Sequence, residues 1–377
     1  MKYRTGFLLV VIITSALKIN AADTDSASGK TENNDWGMEI AGSYGFLIAH
    51  RDALMPLQQE HLISLEGSLF RSSDGSKKWE RAFLFPEKGI HFSWIRPGSS
   101  ERLGNAFAIY PYLDFPLKNG SGRHLWLRYG MGLGYIEKTF NPSDNYRNVA
   151  IGSHLNGVIH FGLKYRIQSG KSSSIDLGIQ LTHFSNGSVR IPNLGINLPA
   201  ASVSYRMGGR TPKSYLEKDS GIVKRPASIS IMTAIGFKEV YPAEGPLYHA
   251  ATLSTTYFFG SSRKSEWGIG ADLFYDNSLS VRNGQLNGDS SKVADFRAGI
   301  HGAWSMQISK ISLLFNMGFY PYTVFKSDGN FYHRIGLRYD FGKIFACMQL
   351  KTHYARADYI EWGIGMNIIR IKKTSSR

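Results

Sequence analysis

Apolar and polar residues alternate along most of this chain with a period of two, the spacing of strands whose successive side chains point to opposite faces. Candidate strands lie at 36–48, 60–72, 88–97, 102–115, 122–137, 151–168, 173–185 and 195–208. After a polar stretch, eight more follow at 226–240, 247–260, 264–276, 293–306, 308–319, 329–341, 343–355 and 358–372. No amphipathic helix stands out. In 122–137, Leu125, Leu127, Tyr129, Met131, Leu133 and Tyr135 share one face. His124, Trp126, Arg128, Gly130, Gly132 and Gly134 share the other. In 151–168, Leu155, Ile159, Phe161, Leu163, Tyr165 and Ile167 lie opposite His154, Asn156, His160, Lys164 and Arg166.

A face so rich in charge and glycine suits a hydrated interior, with the apolar face turned to lipid. That is the pattern of an antiparallel transmembrane β-barrel. A soluble sandwich or barrel shares the periodicity and is the alternative. The strand count admits one barrel of about 14–16 strands, the preferred reading, or an eight-stranded barrel followed by a second β unit. The domain expectation is a signal peptide at 1–21, a polar arm at 22–35, a first barrel region at 36–210, a connection at 211–225 and an additional β region at 226–377.

The amino terminus supports export. Lys2 and Arg4 precede an apolar run from Gly6 to Leu17, with small residues at Ala21 and Ala22. This is a signal-peptide pattern, and the run is too short to span as a helix. Mean hydropathy is −0.21, which does not exclude a membrane barrel, because only alternate residues meet lipid. The chain carries 40 Gly, 20 Tyr and 22 Phe, in keeping with many strands and turns. Its single cysteine, Cys347, precludes an intrachain disulfide and sits in an apolar run as a packing residue. The net charge of +15 favours anionic partners, for an exported chain lipid phosphates rather than nucleic acid. His154, Asn156 and His160 share the interior face, but no acid or cysteine joins them at metal-ligand spacing. No metal or cofactor is implied.

One stretch breaks the alternation. In 173–185, Ile175, Leu177, Ile179 and Leu181 have the parity of His183 and Ser185, so a histidine and a serine end a lipid-facing stripe. On the next strand Asn197 has the parity of Ala201, Val203, Tyr205 and Met207. Three polar groups able to form a Ser–His–Asn relay thus converge outside the wall near one rim. Strand 173–185 is the seventh and runs outward if the amino terminus starts in the periplasm, which places the rim at the outer leaflet. A serine hydroxyl needs a base, and the base needs a group that fixes its tautomer. Asn186, Asn193 and Gly187 are candidates to hold an oxyanion. The bland alternatives are a polar barrel rim and, for Pro192–Gly195, simple turn chemistry.

The run "HFSN" followed by "IPNLGIN" resembles the signature of the PagL-type lipid A 3-O-deacylases, outer-membrane barrel esterases of Gram-negative bacteria. The matching positions are His183, Ser185, Asn186, Pro192, Asn193, Gly195 and Asn197. The resemblance implies Ser185 as nucleophile, His183 as general base, and lipid A of the outer-leaflet lipopolysaccharide as substrate. It also implies an eight-stranded barrel over about 36–208. Position 197 departs from the family, whose acid is glutamate. An asparagine can orient a histidine but cannot neutralise its charged form. The family pattern offers no role for the region beyond about 226. A porin or lipid-binding barrel with a degenerate motif and an outer-membrane phospholipase are the rival functions.

Overall fold

The computed structural model describes residues 35–118, 124–170, 172–209, 225–261, 264–354 and 356–371. The signal-peptide reading and nearly all of the polar arm and the connection at 211–225 lie outside the described residues. Eight strands come first: β1 (Trp36–Gly45), β2 (Leu62–Ser72), β3 (Glu87–Arg96), β4 (Ala106–Pro116), β5 (Leu125–Ile136), β6 (Leu155–Gln168), β7 (Ser173–Ser185) and β8 (Ile196–Gly208). Eight more follow: β9 (Ala227–Glu239), β10 (Leu247–Phe258), β11 (Ser265–Asp276), β12 (Phe296–Ile308), β13 (Ile311–Thr323), β14 (Phe331–Asp340), β15 (Ile344–His353) and β16 (Arg356–Ile371).

The alternative forms, an eight-stranded barrel followed by a second β unit, rather than the preferred single large barrel. β8 returns to β1, from Gly37 opposite Gly208 to Gly45 opposite Ala200, and the first sheet closes on itself. No edge remains to receive β9. The second eight strands close separately through β16 and β9, so the chain makes two antiparallel barrels. Among the described residues no helix is long and apolar enough to cross a membrane. Among the described residues the helical pieces are short and lie in connections, the longest being Ser278–Asn287.

The expected facing is present in both halves. On β7, Ile179 is 64% exposed while Asp176, three residues away on the other face, is 1% exposed. On β16, Ile364 is exposed and Glu361 is fully buried. An eight-stranded barrel is just wide enough for side chains to fill it. Here they are mostly charged and paired, as burial demands. In the first barrel Arg128 grips Asp114 with Nε at 2.7 Å and Nη2 at 2.8 Å, and Lys164 donates to Glu39 at 2.8 Å. Arg206 donates to Glu87 at 2.7 Å. In the second, Arg334 donates to Asp272 at 2.7 Å and Lys351 to Asp358 at 2.8 Å. His160 belongs to the first lumen, bonded to Thr182 and stacked on Tyr110. His154, expected on that inner face, is instead exposed and stacked on Tyr135, because β6 begins one residue later and the strand parity does not extend to it.

Because strands alternate in direction, connections 46–61, 97–105, 137–154 and 186–195 gather at one rim of the first barrel. The carboxyl end of β7 is at that rim.

Candidate active site

Strand pairing puts His183 opposite Asn197 of β8, and Ser185 opposite Gly157 of β6. Thr182 and Phe184 point inward and are buried, so His183 and Ser185 project from the outer face, each partly covered. Same-face residues two apart lie roughly 7 Å apart along a strand, a span that an imidazole can close.

His183 Nδ1 and Asn197 Oδ1 are 2.7 Å apart. The amide oxygen can only accept, so Nδ1 carries the proton and Nε2 is left as the basic nitrogen. The other end of the amide is also engaged: Asn197 Nδ2 donates to His50 Nδ1 at 3.1 Å. His50 therefore distinguishes the two ends of the amide and turns its oxygen toward His183. Two backbone bonds hold this neighbourhood, Phe46 N–H to Pro199 O and Ile48 N–H to Asn197 O. Gly195 has φ +80°, and a Cβ there would stand 2.8 Å from His183 Cε1. Its bare backbone gives the ring room. Among the described residues no carboxylate is ion-paired with His183; its Nδ1 partner is the Asn197 amide.

Ser185 Oγ receives two N–H donors, Asn193 Nδ2 at 2.9 Å and the Gly187 backbone N–H at 3.2 Å. Asn193 Oδ1 accepts the Asn186 N–H at 3.1 Å, which fixes that amide over the hydroxyl. Among the described residues His183 and Ser185 share no hydrogen bond; the hydroxyl rests on Asn193 Oδ1 at 3.3 Å. In unliganded sites such contacts are often long and tighten on substrate. The side chain of Asn186 is spent otherwise. It donates to Ser153 Oγ at 2.8 Å and accepts Arg190 N–H at 3.4 Å, stapling the loop to the connection before β6. Of the three oxyanion candidates, Asn193 and Gly187 thus sit at the hydroxyl and Asn186 does not offer its side chain. Gly195 N–H donates to Ala150 O at 3.0 Å, a second tie to the same connection.

Sequence reasoning missed His50 and Ser153. His50 had a signal: in a closed barrel the residues past the end of β1 stand beside the start of β8. Ser153 had none, since its link to Asn186 depends on the path of an irregular connection.

Two closed β-barrels, the first with His183, Ser185 and Asn197 on its outer face, have the architecture of an outer-membrane barrel protein. A family model described as lipid A 3-O-deacylase (PagL) matches residues 66–206, and one described as acyloxyacyl hydrolase, C-terminal domain, matches residues 227–372. The chain belongs to the lipid A 3-O-deacylase family, whose members are carboxylic ester hydrolases of the Gram-negative outer membrane. No curated protein matches its sequence. Among solved structures, a Rhodopseudomonas blastica porin triple mutant is 8% identical, with 88% of this chain and 99% of that one covered and a TM-score of 0.20. A bacterial polysaccharide outer membrane secretin is 12% identical, with 89% and 99% covered and a TM-score of 0.22.

Proposed function

We propose that this protein hydrolyses the 3-O-linked acyl ester of lipid A by a serine mechanism, with Ser185 as nucleophile and His183 as general base. Ser185 Oγ attacks the ester carbonyl while its proton passes to His183 Nε2. The carbonyl oxygen becomes an oxyanion, and the Gly187 N–H and Asn193 Nδ2 beside the hydroxyl are the donors available to it. When the tetrahedral intermediate collapses, the sugar oxygen leaves and takes the proton from His183. Water, deprotonated by the same histidine, then releases the fatty acid and restores Ser185. Asn197 holds the Nδ1–H tautomer throughout, with His50 fixing the amide. The reaction asks for no metal or cofactor.

The observation that carries this reading is the outward projection of the serine and histidine at the rim where the connections gather. An acyl chain lying in the outer leaflet reaches that face without leaving the bilayer. The test is mass spectrometry of lipid A from a Gram-negative host expressing wild type or Ser185→Ala. Wild type should remove one hydroxyacyl chain, and the variant should be slower by roughly 10⁴-fold or more. Intact lipid A with wild type sinks the reading. Cleavage of glycerophospholipids in its place would mark a phospholipase.

A further inference from the structure

The second barrel touches the catalytic loop. Glu239 ends β9, is 2% exposed, and reaches into the 186–195 connection of the first barrel. Its carboxylate Oε2 accepts the Ile191 N–H at 2.9 Å, and Oε1 faces Arg190 Nη1 at 3.7 Å. Its own backbone N–H donates to Ser188 O at 2.9 Å. Ser188 Oγ in turn donates to Ala357 O of β16 at 3.0 Å. Gly187, at φ +63°, lies so close to β16 that a Cβ would collide with Ile360. A separate apolar contact fixes the two barrels elsewhere, where Ala82 and Phe83 pack on Ile308.

From this geometry we infer that the second barrel is an intramolecular brace for the catalytic loop and that Glu239 is a positioning residue for the deacylation reaction; the role rests on the serine reading above. The loop's apolar tie to the first barrel's core is Leu194, and residues 187–191 lie outside that core cluster. Its ends are tied to β7 and, through Asn186–Ser153 and Gly195–Ala150, to the neighbouring connection. Between those ties the chain passes through Gly187, Ser188, Arg190 and Ile191, and each of these meets the second barrel. Donors for an oxyanion must be held within about 0.5 Å of their productive place. Gly187 N–H and Asn193 Nδ2 lie on either side of the segment that Glu239 grips. Removing that side chain frees the Ile191 N–H and Arg190 and leaves the backbone bond to Ser188 O as the tie between the loop and β9. Ser185 and His183, anchored on β7, keep their places. The defect should therefore fall on turnover more than on substrate binding.

The experiment compares full-length wild type, Glu239→Ala and Glu239→Gln in detergent micelles containing lipid A. Glu239→Ala should lower kcat by about 10- to 100-fold, the scale of a small misplacement at a reacting centre, with KM little changed. Glu239→Gln keeps an oxygen for the Ile191 N–H and should recover most of the rate. Hydrogen exchange of the 186–195 peptide gives a readout independent of catalysis. Glu239→Ala should speed exchange there and leave the β1–β6 peptides unchanged, and Glu239→Gln should stay near wild type. Unchanged loop exchange in Glu239→Ala overturns the brace, as does a rate loss in which KM rises and kcat holds. Failure of Glu239→Gln to recover either readout also overturns it. A wild type without deacylase activity sinks the enzymatic reading alone; the exchange measurement still decides whether the second barrel holds the loop.

Discussion

Each barrel carries Thr-His near the end of its seventh strand: Thr182-His183 on β7 and Thr352-His353 on β15. The two histidines have opposite fates. His183 shares the parity of the exposed Ile179 and Leu181, and meets Asn197 on the lipid side. His353 shares the parity of the buried Cys347, Gln349 and Lys351, and lies in the lumen. There it contacts the Tyr320 hydroxyl at 2.9 Å and faces Asp358 at 3.6 Å. Lys351 pairs with Tyr359 and Thr352 with Ala357, so Asp358 is a bulged residue, free to turn inward. A one-residue difference in register separates a candidate base from a packing group. The connections differ too. Ten residues separate β7 from β8 and carry the motif, whereas β15 and β16 are joined by residues 354–355 alone.

The second lumen shows the same lesson in another form. His301 lies between Asp272 at 2.8 Å and Thr256 at 3.0 Å, a hydroxyl–imidazole–carboxylate series. Yet all three are buried, and a Cβ on Gly270 would stand 2.5 Å from the imidazole, so no space for an ester adjoins it. Side-chain order alone does not make a site; the face on which it is displayed does.

The comparison can be broken most directly by truncating both histidines. His183→Ala should lower deacylation by about 10³- to 10⁴-fold in lipid A mass spectra or a detergent assay. His353→Ala should leave that rate intact and lower stability by roughly 1–3 kcal/mol through the lost tyrosine bond, read by thermal denaturation. Equal activity losses would erase the distinction between the two strand ends. Next in size, Gly195→Ala tests whether His183 needs the bare backbone beside it. It should cost about 10²-fold in kcat while the folded barrel's shifted mobility on unheated gels persists. Smallest is a paired change at the orienting amide. Asn197→Glu restores the family acid and should raise kcat by up to about tenfold, since a carboxylate also offsets the imidazolium charge. His50→Ala should slow the native enzyme by a few-fold, on the scale of one lost hydrogen bond, and matter less once Asn197 is Glu. An equal loss in both backgrounds would show that His50 does not act through the amide.

Much of this was legible from parity. The lipid-facing stripes of β5, β6 and β7 and the outward placement of His183, Ser185 and Asn197 follow from counting by twos. Closure was not legible from parity; only the family resemblance implied it, and only for the first eight strands. Whether β8 returns to β1 or passes on to β9 depends on strand tilt and stagger, which leave no local mark in residue identity. His154 was misplaced because parity holds only inside a strand, and β6 starts just after it. Within the loop, the Pro192–Gly195 motif was readable, but the division of labour between Asn186 and Asn193 depends on the path of residues 137–154. Glu239 was invisible for a stronger reason: it belongs to the other barrel, and its function emerges only when the two surfaces meet.

The ion-filled interiors bear on the cell that carries this protein. An eight-stranded cylinder is narrow enough for side chains to fill, and here Arg128, Lys164 and Arg206 locked onto carboxylates occupy the bore. The same is true of the bore held by Arg334, Lys351 and Lys238. The expected consequence is that many copies could populate the envelope without opening a leak, and conductance of the purified protein in a planar bilayer checks it.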